Sequence, residues 1–172
     1  MLLHLNPPSR SRLVSLGEGP QTVGRFIAEL QGFKRSPGEL AHVRALEMEL
    51  VDDLPPNAEA QEIRRIFEHV RDAVRYTKDV RGVDTLQSPS VTLETRQGDC
   101  DDKALLLSAL LESIGYATRF VVAATLPRGG YNHVYVEVLN PRTGRWIPLE
   151  SSISSFPFGM ALRTFEPVRR FA

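Results

Sequence analysis

Apolar residues recur at three- and four-residue spacing in two separate stretches. Leu40, Val43, Leu46 and Leu50 follow Ser36-Pro37-Gly38-Glu39, which has the form of a capping box with proline at the first helical position, so the pattern predicts a helix over 37–51. Behind Pro55-Pro56-Asn57, the positions Ile63, Ile66, Phe67, Val70 and Val74 mark an amphipathic helix over 58–77. A third helix is of another kind. From Cys100 to Ile114 the chain is apolar on nearly all sides, and Gly115 stands where a left-handed C-terminal cap is wanted, which describes a buried helix with Cys100 at its N-terminus. Beyond it the period drops to two, predicting strands over 118–125, 131–139 and 145–150. In the second strand Val134, Val136 and Val138 share one face, and His133, Tyr135 and Glu137 share the other. Helices followed by three strands predict an antiparallel sheet and an α+β fold.

The remaining segments lack a period. Pro7-Pro8, Gly17, Gly19-Pro20, Gly24 and Gly32 interrupt residues 1–35, which read as an arm with one short helix ahead of a single domain over 36–172. Residues 79–98, with Gly82, Pro89 and Gly98 among polar neighbours, read as a long surface connection. The tail, with Pro157, Gly159 and Pro167, yields no element.

Composition narrows the function classes. Of 172 residues, 42% are hydrophobic and 24% charged, with 21 basic against 21 acidic side chains. Such a chain supports an ordinary core, and its zero balance argues against nucleic acid or a membrane surface as partner. Apolar runs fall short of a membrane span, and the Met1-Leu-Leu-His-Leu-Asn start is short and uncharged for a secretory signal, so a cytoplasmic location is expected. Cys100 is the only cysteine, which excludes an internal disulfide and any zinc site needing two thiolates.

That cysteine is placed for chemistry. At a helix N-terminus it meets unpaired amides and the positive end of the helix dipole, which favour the thiolate, while Asp99, Asp101 and Asp102 oppose it. A cationic partner is needed, and His133 is the histidine carried on a strand. If the second and third strands join through Asn140-Pro141-Arg142-Thr143, Leu139 pairs with Gly144 and His133 lies opposite Glu150; a loop one residue longer brings Ser151 there instead. Cys100, His133 and Glu150 then form a nucleophile, base and orienting-acid constellation for acyl transfer through a thioacyl intermediate.

Four ordered blocks carry a resemblance. Gly98-Asp99-Cys100-Asp101-Asp102-Lys103-Ala104-Leu105, Leu111-Glu112-Ser113-Ile114-Gly115-Tyr116, His133-Val134-Tyr135-Val136-Glu137-Val138 and Trp146-Ile147-Pro148-Leu149-Glu150 resemble the transglutaminase-like superfamily over about residues 60–152. The resemblance implies a papain-like core, with Cys100 matching the nucleophile, His133 the base, and Glu150 the position where the family usually has aspartate. With Gln87-Ser88-Pro89 upstream, the form is also similar to sequences of tailed phages and prophages, which implies virion or assembly proteins as partners besides a protein or peptide substrate.

Other residues have plainer readings beside functional ones. The Cys100 amide is the first oxyanion donor, and Gln87 or Tyr76 is a candidate for a second, although Gln87 equally suits an ordinary loop amide. Asp99, Asp101 and Asp102 are weak candidates for Ca²⁺; three acids at a helix start usually serve as caps, so no metal or other cofactor is expected. Trp146 reads as packing, and His4, His42 and His69 take no role. Two function classes stand: a cysteine-dependent amide or peptide hydrolase or acyl transferase, and a non-catalytic phage-type module that keeps the fold.

Overall fold

A computed structural model describes residues 12–13, 20–34, 37–78, 85–128 and 130–172. Ser36 of the expected capping box, His4 and the side chain of His42 lie outside the described residues. Helices α1 (Pro20–Lys34), α2 (Pro37–Val51) and α3 (Glu59–Ala73) come first, and α5 (Cys100–Ser113) packs against α2, α3 and the sheet. Helix α3 shows the cause of its own placement, because Ile63, Ile66, Phe67 and Val70 form one buried stripe at helical spacing. It ends earlier than the pattern predicts. Val74 turns to extended backbone, and β2 (Arg75–Tyr76) pairs in parallel with β4 (Gln97–Gly98). In α1, Phe26, Ile27 and Leu30 join the same core as α5.

Every residue of α5 from Asp101 to Leu111 is buried, in keeping with its apolar sequence. Tyr116 N–H donates to the Leu111 carbonyl at 3.0 Å past Gly115, whose φ of 95° is the left-handed cap the sequence places there. Lys103 is one of its buried polar residues, beside Asp101, Asp102 and Ser108, and has a role that the periodicity did not reveal. Its buried ammonium donates to the Arg71 carbonyl at 3.1 Å and to the Val74 carbonyl, both at the end of α3, so it caps that helix from within the core.

The strands β5 (Thr118–Ala123), β6 (His133–Leu139), β7 (Trp146–Leu149) and β8 (Arg169–Phe171) form one antiparallel sheet in the order β7-β6-β5-β8. Phe120, Val122, Val134, Val136, Val138 and Leu149 join the main core with the helices; Val121, Ala123 and Tyr135 form a smaller cluster with Leu162 and Val168 of the tail. The tail therefore supplies both a strand and a cover for the sheet.

Two expectations fail here. The supposed surface connection contains β3 (Thr85–Leu86), which pairs antiparallel with β1 (Arg12–Leu13), and helix α4 (Pro89–Thr95), which packs on α5 with Ser90 and Thr92 buried. The β6–β7 pairing also differs: Leu139 pairs with Trp146, not Gly144. Asn140 Oδ1 accepts the Arg142 and Thr143 amides at 2.9 and 3.1 Å, and Gly144 adopts φ 65°, so the side chain of Asn140 builds a turn over 140–145 in place of the shorter loop.

Candidate active site

The first turn of α5 is closed by a reciprocal cap. Asp99 Oδ1 accepts the Asp101 and Asp102 amides at 3.2 and 3.5 Å, and Asp102 Oδ2 accepts the Asp99 amide at 3.3 Å. The Lys103 amide goes to the Asp99 carbonyl at 3.2 Å. Among the described residues this leaves the Cys100 N–H as the amide of that turn without a hydrogen-bond partner. Gly98 is required by the same packing, since a Cβ there would stand 2.6 Å from Asp102 Cβ.

Cys100 is half-buried. Its sulfur lies against the start of β6, within hydrogen-bonding reach of the Val134 amide. The opposition expected from the neighbouring acids is present. Burial pushes the thiol up from its ordinary value, the Asp101 and Asp99 carboxylates push it further, and the Val134 N–H pulls back only in part.

His133 and Glu150 meet. His133 Nε2 lies 2.5 Å from Glu150 Oε2, and Glu150 Oε1 accepts the Ser152 amide at 2.6 Å. Glu150 is 1% exposed, so both of its oxygens are held inside the protein. The observed register pairs Val136 with Leu149, two residues off the expected one; Glu150, just past the end of β7, therefore reaches His133 along the diagonal. The two-residue offset preserves the face, because side chains repeat every second residue, and the length of glutamate spans the diagonal. Ser151 is buried next to it.

The other candidates separate. Tyr76 is 46% exposed and stands near Cys100, Asp99, Asp101 and Glu150; partial burial, then those negative charges, raise its phenol to about 12. Gln87 is tied to Asp102, its backbone amide donating to Oδ1 at 2.7 Å and its Nε2 to Oδ2 at 2.8 Å. Trp146 packs under the Arg119 guanidinium, 4.0 Å from the ring centre. Asp99, Cys100 and Asp101 bring one potential ligand atom each within 4.8 Å of one another. Calcium takes six to eight oxygens, whereas this group offers a sulfur and two carboxylates that already share a hydrogen bond, and the Asp102 oxygens are engaged elsewhere.

A helix-borne cysteine packed on an antiparallel sheet that carries a half-buried histidine paired with a buried carboxylate defines a papain-like arrangement. The sequence profile of the transglutaminase-like superfamily matches residues 48–151, and the chain belongs to that superfamily. Two solved structures are similar. One, described as a "putative cysteine protease" from Cytophaga hutchinsonii, matches 80% of this chain and 46% of its own length, at 17% identity and a TM-score of 0.53. Another, described as a "putative protease" from Parabacteroides distasonis, matches 77% of this chain and 31% of its own, at 14% identity and a TM-score of 0.57. The chain thus spans less than half the length of either, and at these identities the likeness is one of fold. No curated protein sequence matches the chain. Among the described residues no helix is long and apolar enough to cross a membrane.

Proposed function

We propose that the protein is a cysteine-dependent hydrolase of amide or peptide bonds, with Cys100 as nucleophile, His133 as proton carrier and Glu150 as its orienting carboxylate. The observation that carries the reading is the buried Glu150 contact to His133 Nε2. With Nε2 held there, Nδ1 is the ring nitrogen left to take a proton. The raised thiol sets the order of events. Cys100 rests protonated, and the proton passes to His133 as sulfur attacks the carbonyl carbon, making this general-base catalysis in place of a preformed ion pair. The carbonyl oxygen takes up negative charge and meets the open Cys100 N–H. Collapse breaks the carbon–nitrogen bond, the imidazolium protonates the leaving amine, and a thioester remains. Water, deprotonated by the same imidazole, then releases the acid and regenerates the thiol. An amine in place of water gives transamidation by the same steps.

The high thiol is also the observation that favours the second reading, a non-catalytic assembly module, since a resting thiol is a poor nucleophile without its base. One experiment separates them. A panel of protein and peptide amides is incubated with the protein and with Cys100→Ala; hydrolysis by the parent, absent in a variant of unchanged circular dichroism, supports the enzyme. Equal release by both would place the chemistry elsewhere and overturn the assignment of Cys100; release by neither supports the module.

A further inference from the structure

Asp102 collects three amide donors from two separate segments. Gln87 supplies its backbone N–H at 2.7 Å and its carboxamide Nε2 at 2.8 Å, and Asp99 supplies its backbone N–H at 3.3 Å. A helix cap accounts for the Asp99 contact alone, and an exposed carboxylate would serve it. Asp102 is instead 1% exposed, and Gly98 is packed so tightly on it that a Cβ would come 3.0 Å from Oδ2. Burying a carboxylate is costly unless its oxygens are occupied, and here the turn after β3 supplies two of the occupying donors. The consequence lies at the neighbouring nucleophile. By taking the Asp99 amide, Asp102 completes the cap that leaves the Cys100 N–H open, and by gripping Gln87 twice it fixes that carboxamide beside the same helix terminus, with its second Nε2 hydrogen still available.

We propose that Asp102 is the positioning residue of the oxyanion donors, holding the Gln87 carboxamide and the Cys100 N–H in one fixed arrangement. This rests on Cys100 being the nucleophile, as read above. Asp102 touches no reacting atom and acts through Gln87 and Asp99. An asparagine of the same shape presents an NH₂ group to at least one of these donors, so the arrangement loosens without a change of volume.

The test uses two reagents with different demands on the site. Acylation by p-nitrophenyl acetate forms a tetrahedral oxyanion before it releases p-nitrophenol, whereas iodoacetamide alkylates sulfur by displacing iodide and forms no oxyanion. Asp102→Asn is expected to slow the acylation burst by about 10²-fold, the scale of losing one oxyanion donor, and to leave the alkylation rate within twofold. The second variant, Asp102→Asn with Gln87→Glu, reverses the polarity of the pair and is expected to recover the thermal stability of the parent but not its acylation. Should Asp102→Asn fail to fold, Gln87→Ala removes the carboxamide that Asp102 holds while leaving the Asp99–Asp102 cap in place, and is expected to show the same split. Equal slowing of both reagents, no slowing of either, or recovery of acylation in the reversed pair would overturn the proposal. A parent in which Cys100 is alkylated but never acylated would instead overturn the assignment of the nucleophile.

Discussion

Replacing Glu150 by glutamine removes a negative charge and almost no volume from a position that is 1% exposed. The Ser152 amide, 2.6 Å from Oε1, requires an acceptor, so the glutamine oxygen stays there and its NH₂ faces His133 Nε2. That nitrogen then has to accept, and the ring proton moves to Nδ1, the nitrogen that would have taken the proton from Cys100. The wrong tautomer alone costs up to about 10⁴-fold in triads of this logic. Loss of the charge-assisted bond to the imidazolium adds about 1.5–3 kcal/mol, or about 10- to 10²-fold at 1.36 kcal/mol per decade. We expect the burst of p-nitrophenol at neutral pH to fall at least ~10²-fold. Alkylation by iodoacetamide has the opposite expectation, because the Glu150 charge opposes the thiolate; its rate in Glu150→Gln should equal or exceed that of the parent. A variant within twofold of the parent in acylation, or slowed equally in both reactions, would refute the role given to Glu150.

Other predictions concern reach, pH and packing. Glu150→Asp shortens the side chain by about 1.5 Å, one carbon–carbon bond, and should slow acylation about 10-fold because the diagonal pairing uses the full length of glutamate; an unchanged burst rate would show that aspartate spans it. Alkylation of Cys100 should still be rising with pH beyond ~8.5, the value of a free thiol, and a plateau below neutrality would reveal a preformed thiolate. Burial raises the Asp102 carboxyl to about 7, above its unfolded value, so below that pH the folded protein takes up a proton that the unfolded chain has lost, and above it the carboxylate that accepts the three amides prevails. Its contribution to stability is therefore full in acid and lost as pH rises through that window; melting temperatures of the parent relative to Asp102→Asn should climb from pH 7 to pH 4, and parallel curves would count against the shift. Leu106 is fully buried in α5, and Leu106→Ala should cost about 2–5 kcal/mol in urea unfolding.

Much of this was legible because a period exposes it. The stripe of α3, the apolar α5 with its Gly115 cap, and the alternation of β6 each placed an element and a face, and the face placed His133 on the same side as Glu150. Register was less accessible. It turned on the side chain of Asn140, which organises a longer turn, and the His133–Glu150 contact survived because the resulting slip was even. Helix α4 was hidden by its composition. Its buried positions are Pro89, Ser90 and Thr92, and the two polar ones are accommodated by local hydrogen bonds, Ser88 Oγ with Ser90 Oγ at 3.0 Å and Thr92 Oγ1 to the Ser88 carbonyl at 3.3 Å, so no apolar period marks the helix. The strand β8 is three residues long, too short to show alternation. Asp102 had a readable sign in the Asp99-to-Asp102 spacing of a capping box, but nothing local in sequence tied it to Gln87, fifteen residues earlier. Lys103 likewise has no local partner in sequence, because the carbonyls it caps belong to the end of α3.

On the reading proposed above, Cys100 forms an acyl-enzyme with the help of His133. Intact-mass and peptide-mapping spectrometry after brief exposure to p-nitrophenyl acetate at neutral pH tests it most directly. We expect one acetyl group per chain, located on Cys100, absent from Cys100→Ala and strongly reduced in His133→Ala, whose thiol remains open to iodoacetamide at high pH. Acetyl groups confined to lysines, or acetylation of Cys100 at an undiminished rate in His133→Ala, would contradict it.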